Sequence, residues 1–137
     1  MAMTPRQKYE RKTVAHTTVL NSPFAGIPVG ARLHISTPRD VDARIRRIPL
    51  GSTLSVSALR DEMAREHEAD ATCPVTTAIH LRTIIELAID ELSTGTAIDD
   101  VTPFWRVVEP DSTLARKVDG AREVIEARRH AERISDR

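Results

Sequence analysis

Thr102-Pro103-Phe104-Trp105-Arg106-Val107-Val108 is the stretch on which the reading of the whole chain turns. Aromatic and β-branched residues fit a pleated, half-buried surface, and Glu109-Pro110-Asp111 follows with turn formers, so the stretch reads as a strand and a turn. Neighbouring side chains on a strand point to opposite faces. Phe104 and Trp105 are therefore expected on different faces, one in the core and the other free to line a pocket, with Arg106 beside them.

Working outward, the segment before this stretch carries the longest helical pattern, about Val75 to Leu92. Pro74 sits just inside its start, Gly95 terminates it, and Ile79, Ile84, Ile85, Ala88, Ile89 and Leu92 are expected to form one broad apolar face. Glu68-Ala69-Asp70-Ala71-Thr72 reads as the turn that precedes it. A helix capped by Ser55, with Val56, Leu59 and Met63 on one side, comes before that turn. An earlier helix starts at Thr37-Pro38, where Asp40 and Asp42 favour the positive end of its dipole, and buries Val41, Ile45 and Ile48. Pro49-Leu50-Gly51 ends it, and Ser52-Thr53-Leu54 reads as a short strand or turn. Two short helices about a tight glycine turn begin a helix-turn-helix arrangement. After the opening stretch, Leu114 to Val118 and Ala121 to about Ser135 read as helices. Residues 1–21 are polar without amphipathic period and are expected to be a flexible basic arm outside the core. Residues 22–137 form the single domain, beginning with an ordered but irregular segment over 22–36 that Pro23, Gly26, Pro28 and Gly30 break up.

Lys plus Arg and Asp plus Glu both number 20, which removes any general attraction to nucleic acid or anionic membrane. Polyanion binding would need a local patch. No apolar run reaches spanning length and the start lacks a signal-peptide core, so a cytoplasmic location and no membrane partner are expected. A single cysteine, Cys73, excludes an internal disulfide and a multi-cysteine zinc site; beside Pro74 it reads as a small buried residue. With His67 and His80 it matches no standard zinc spacing. There is no Ser-His-Asp order, phosphate-binding glycine loop or paired-carboxylate motif, so no cofactor is expected.

The order of elements, with Ile48-Pro49-Leu50-Gly51 at the first turn and Pro103, Arg106, Val107 and Val108 in the later stretch, resembles the winged-helix DNA-binding domain of the alkylguanine-DNA alkyltransferases and alkyltransferase-like proteins. The likeness runs from about Pro38 to Ile134. It implies a mostly helical α+β fold, a structural role for Arg106, and a position for Glu132 matching the glutamate of the family's histidine relay. Phe104 then stands at the methyl-accepting cysteine and Trp105 at the activating histidine. A phenyl ring offers no nucleophile. The resemblance therefore implies a non-enzymatic relative that binds double-stranded DNA and recognises alkylated or altered bases through a vestigial pocket along Phe104 and Trp105.

Other positions depart from the family. Val56 stands where a tyrosine helps rotate the nucleotide, and Cys73 to Ala78 lack the arginine that fills the vacated stack, so the usual means of offsetting base flipping are absent. Thr76 and Thr77 open the helix that would enter a groove, where free amides can meet a phosphate, although helix capping explains them equally; His80 and Arg82 are its cations, and Glu86, Asp90 and Glu91 make its later turns acidic. Arg39, Arg44, Arg46 and Arg47 could extend a phosphate-tracking patch. Arg116, Lys117, Arg122, Arg128, Arg129 and Arg133, interleaved with Asp119, Glu123, Glu126 and Glu132, read as surface ion pairs. The alternative function is a protein-interaction module on the same fold that has lost DNA binding.

Overall fold

The structure, a computed structural model, describes residues 2–134. It is a mixed α+β fold, about half helical, with one small sheet. In chain order come α1 (Pro5–Glu10), β1 (His16–Val19), β2 (Arg32–Ile35), α2 (Pro38–Ile45), α3 (Val56–Glu66), β3 (Ala71–Thr72), α4 (Pro74–Ser93), α5 (Thr113–Arg116) and α6 (Ala121–Ala131). Short 3-10 helices span Ile98–Asp100 and Phe104–Arg106.

Local chemistry sets the helix starts. Thr37 accepts from the Asp40 N–H at 3.2 Å with Pro38 in the first turn, Ser55 accepts from Ala58, and Ser112 accepts from Ala115. The sheet order is β1-β2-β3. β1 pairs antiparallel with β2, whereas β3 lies parallel to β2 with Leu33 opposite Ala71, so α2 and α3 form the crossover between parallel strands. α4 leaves directly from β3, and the Cys73 N–H donates to the His34 carbonyl at 2.9 Å, which fixes where α4 begins. The core gathers Val41 and Ile45 of α2, Leu59 and Met63 of α3, Leu81, Ile84 and Ile85 of α4, the Phe104–Val108 segment and Ile125 of α6.

Several sequence expectations are corrected. The first 21 residues are not a featureless arm: Thr4 and Gln7 form a capping box for α1, α1 packs along α4, and Tyr9 lies against the core. The irregular segment contains β2, and the turn before α4 contains β3. Ser52 to Leu54, expected as a short strand or turn, is irregular chain that follows the turn closed by the Ser52 N–H on the Pro49 carbonyl, and the Leu54 N–H bonds to the Arg106 carbonyl at 2.9 Å. Ile79 is 57% exposed; the buried face of α4 runs through Thr77, Leu81, Ile84, Ile85 and Ala88, and Ile79 lies about 200° around the helix from Leu81. α6 ends at Ala131, and Ser135, the expected end of this helix, lies outside the described residues.

The largest correction concerns Thr102 to Val108, which is not a strand. Pro103 turns the chain at φ −77°, ψ 64°, and Val107 and Val108 both donate to the Phe104 carbonyl, closing a helical turn. Alternation across a pleat no longer applies, so Phe104 and Trp105 both point inward, edge to face with centroids 5.6 Å apart. Burying two large rings outweighs the β preference of the individual residues.

Candidate functional site

The 3-10 turn at Phe104–Arg106 is held between the Ile48–Gly51 turn and the end of α6, and Glu132 ties them together. Its carboxylate, almost fully buried, accepts from Trp105 Nε1 at 2.7 Å, from Arg106 Nε at 2.9 Å and Nη2 at 3.0 Å, and from the Gly51 N–H at 3.2 Å. Gly51 has φ +86°, a conformation open to glycine at little cost. Arg106 also donates through Nη1 to the Ile48 carbonyl at 2.9 Å. Arg129, itself buried, donates through Nε to the Trp105 carbonyl at 2.8 Å and pairs with Glu109 at 3.3 Å. The reading of Arg129 and Glu132 as surface ion pairs is thus corrected. Charge interleaving looks the same whether the helix face is solvated or closed over by another segment.

Burial alone would raise the Glu132 carboxyl, but the hydrogen bonds from Arg106, Trp105 and Gly51, with the Arg106 charge, outweigh it and hold the group below its usual range. The chemistry available here is narrow. The carboxylate is ionised and already met by four N–H groups, the indole N–H is a donor without a basic lone pair, and Phe104 has no heteroatom. No proton relay runs through this set.

Phe104 is 0% and Trp105 2% exposed. Beside Trp105 lies a polar recess of about 170 Å³ bordered by Arg46, Asp99, Pro103, Arg106 and Glu132. Trp105 itself borders this recess, whereas Phe104 is not among its lining residues, so the two rings do not line it together. Val56 is half-buried against the core. Thr77 is fully buried, and its hydroxyl donates to the Cys73 carbonyl at 2.7 Å, while Thr76 makes a longer bond to the same oxygen. Both hydroxyls thus bond within the first turn of α4. Cys73 is buried, and among the described residues no group of three His, Cys, Asp or Glu side chains could hold a metal ion.

His80 lies apart from the Glu132 cluster, in a groove of about 520 Å³ between α1 and α4 that Lys8, Arg11, Pro38, Ile79 and Arg82 also line. Its Nε2 lies 2.9 Å from the Ser36 carbonyl, which can only accept, so Nε2 carries the proton. Burial, partly opposed by that bond, lowers its pKa below 6.5 and keeps the ring neutral near pH 7. The outer face of α4 shows Val75, Ala78, Ile79 and Arg82 to solvent.

A second polar cluster escaped the sequence reading. Asp42 accepts from the Tyr9 hydroxyl and the Thr102 hydroxyl, each at 2.6 Å, and from Arg46 Nε at 2.8 Å. Burial first, and then the Asp42 carboxylate, push the Tyr9 hydroxyl upward from its ordinary value, so it stays a donor. This bond ties α1 to α2. Only the lone tyrosine in an otherwise polar arm could have pointed to it.

Comparison with protein-family models, with curated proteins and with solved structures finds no match to this chain. No helix among the described residues is long and apolar enough to cross a membrane.

Proposed function

We propose that this chain is a non-catalytic double-stranded-DNA-binding protein on a winged-helix, alkyltransferase-like fold, with its base-reading position filled. One observation carries the reading. Glu132 at the end of the last helix meets Trp105, the pair of positions that the alkyltransferase resemblance assigns to the relay glutamate and the histidine, with Trp105 donating where an imidazole would stand; the same buried carboxylate also takes the Gly51 N–H. α3 and α4, joined by a segment that contains β3, supply the helix pair of a helix-turn-helix arrangement, and α4 presents the exposed face of Val75, Ala78, Ile79 and Arg82. Arg11, Lys12 and Arg39, which form no ion pair among the described residues, stand near that face as phosphate contacts. Burial of both rings favours binding through shape and phosphates, indifferent to base alkylation. The protein-interaction reading is favoured by the exposed Val75 and Ile79 on the same face.

Anisotropy of a labelled duplex, with and without an alkylguanine, separates the two across a salt series. The expected result is equal affinity for both duplexes, falling as salt rises, and weaker binding by Arg82→Glu. Absence of binding at low salt removes the DNA reading and leaves the interaction module.

A further inference from the structure

From Thr13 to Ala31 the sequence contains no Lys, Arg, Asp or Glu, in a chain that is 29% charged. The same segment holds Val14, Val19, Phe24 and Val29; elsewhere among the described residues only Leu50, Val75 and Ile79 are large apolar side chains left exposed. Within it β1 is an edge strand with all four residues exposed, so neither of its faces is covered. The ladder shows which backbone groups remain open. Leu20 N–H donates to the Ala31 carbonyl at 3.0 Å, and with Thr18 opposite Leu33 and His16 opposite Ile35 this parity directs the groups of Leu20, Thr18 and His16 toward β2. The N–H and C=O groups of Thr17 and Val19 therefore lie along the open edge. Edge strands are usually defended by a lysine, a proline or a bulge. Between Thr13 and Asn21 the sequence has neither lysine nor proline, and β1 pairs with β2 in unbroken register.

We propose that β1 is the pairing edge for a second copy of this chain, the two strands joining antiparallel about a two-fold axis at Thr18. In that register Thr17 of each copy faces Val19 of the other. These are the outward-directed residues, so each such pair exchanges two N–H···O bonds. Thr18 then meets its own counterpart at the closely spaced, non-bonded position, where threonine pairs are favourable. A two-fold contact requires a surface complementary to itself. An edge without charge brings no like charges together, and a formal net charge of zero leaves no long-range repulsion between copies. Charged partners such as nucleic acid or an acidic peptide find no counter-charge along it.

Sedimentation of the full chain over a concentration series tests this, and a dimer is expected. Thr17→Pro removes an outward N–H while sparing the bonds to β2, and Val19→Lys brings two ammonium groups close to the axis. Each variant is expected to sediment as a monomer with the far-UV CD and melting temperature of the unaltered monomer. Should Thr17→Pro disturb the fold, Val19→Lys still decides. A chain that is monomeric at every concentration, or a dimer that survives Val19→Lys, overturns the proposal.

Discussion

Around Glu132 each oxygen of a buried carboxylate meets donors from within the chain, whereas along β1 the backbone groups of Thr17 and Val19 have been left facing outward. The two regions hold similar raw material, polar groups among apolar side chains. They differ in closure. At Glu132 three distant segments converge, so a substitution there removes several bonds at once and leaves charges stranded. At β1 only one side of the strand is engaged, so substitutions should alter association while the monomer persists.

The largest effect is expected from breaking the closed region. Glu132→Ala strands Arg106 in a buried site and should cost about 3–5 kcal/mol, the range for breaking a buried ion pair, read by urea unfolding. A loss below about 1 kcal/mol would place the cluster among ordinary surface pairs. Tyr9→Phe removes a single hydroxyl joining α1 to Asp42 and should cost about 1 kcal/mol, with α1 amides losing protection from hydrogen exchange before those of α4. Unchanged protection of α1 would show that packing along α4 suffices to hold it.

Acid should separate the Glu132 cluster from the buried His34–His67 stack by pH. His34 of β2 is buried, stacked at 3.8 Å on His67, with neither ring nitrogen hydrogen-bonded among the described residues. Burial first, and then the neighbouring His67, lower its pKa from 6.5. Its folded form resists protonation, so stability is highest above 6.5 and falls as pH drops from there toward the lower folded value. Glu132 is also lowered, from 4.5, so its contribution is complete above 4.5 and is lost as pH falls through the folded value. Two acid losses are expected, the first reduced by His34→Gln, with His80, whose pKa is also lowered, supplying the remainder, and the second abolished by Glu132→Gln, measured as melting temperature against pH. A single loss untouched by His34→Gln would contradict this order.

The smallest effect belongs to the hairpin tip, where Ala25 has φ +50° ahead of Gly26 at +80°. Relief of left-handed strain at a non-glycine residue exceeds the entropy glycine loses on folding, so Ala25→Gly should stabilise by about 0.5 kcal/mol. A lower melting temperature would contradict it.

The helices were legible because caps, prolines and apolar spacing agree at Thr37-Pro38, Ser55 and Pro74. The Phe104–Arg106 turn was not, since strand preference is local while the burial of two adjacent rings is decided by α4 and α6 closing over them. β1 and β2 were missed for a related reason: four-residue strands among prolines and glycines carry too little alternation to read. Within the site, Glu132 was reached through family likeness, but the donors around it, including Gly51, depend on a chain reversal that no spacing reveals.

The most direct measurement is the emission of the chain's one tryptophan while a fluorescently labelled duplex containing an alkylguanine is titrated in at low salt. DNA binding with Trp105 kept in the core should show as rising anisotropy of the DNA label together with a blue-shifted Trp105 emission that does not change. Flat anisotropy, or quenching of Trp105 by the modified duplex alone, would contradict it.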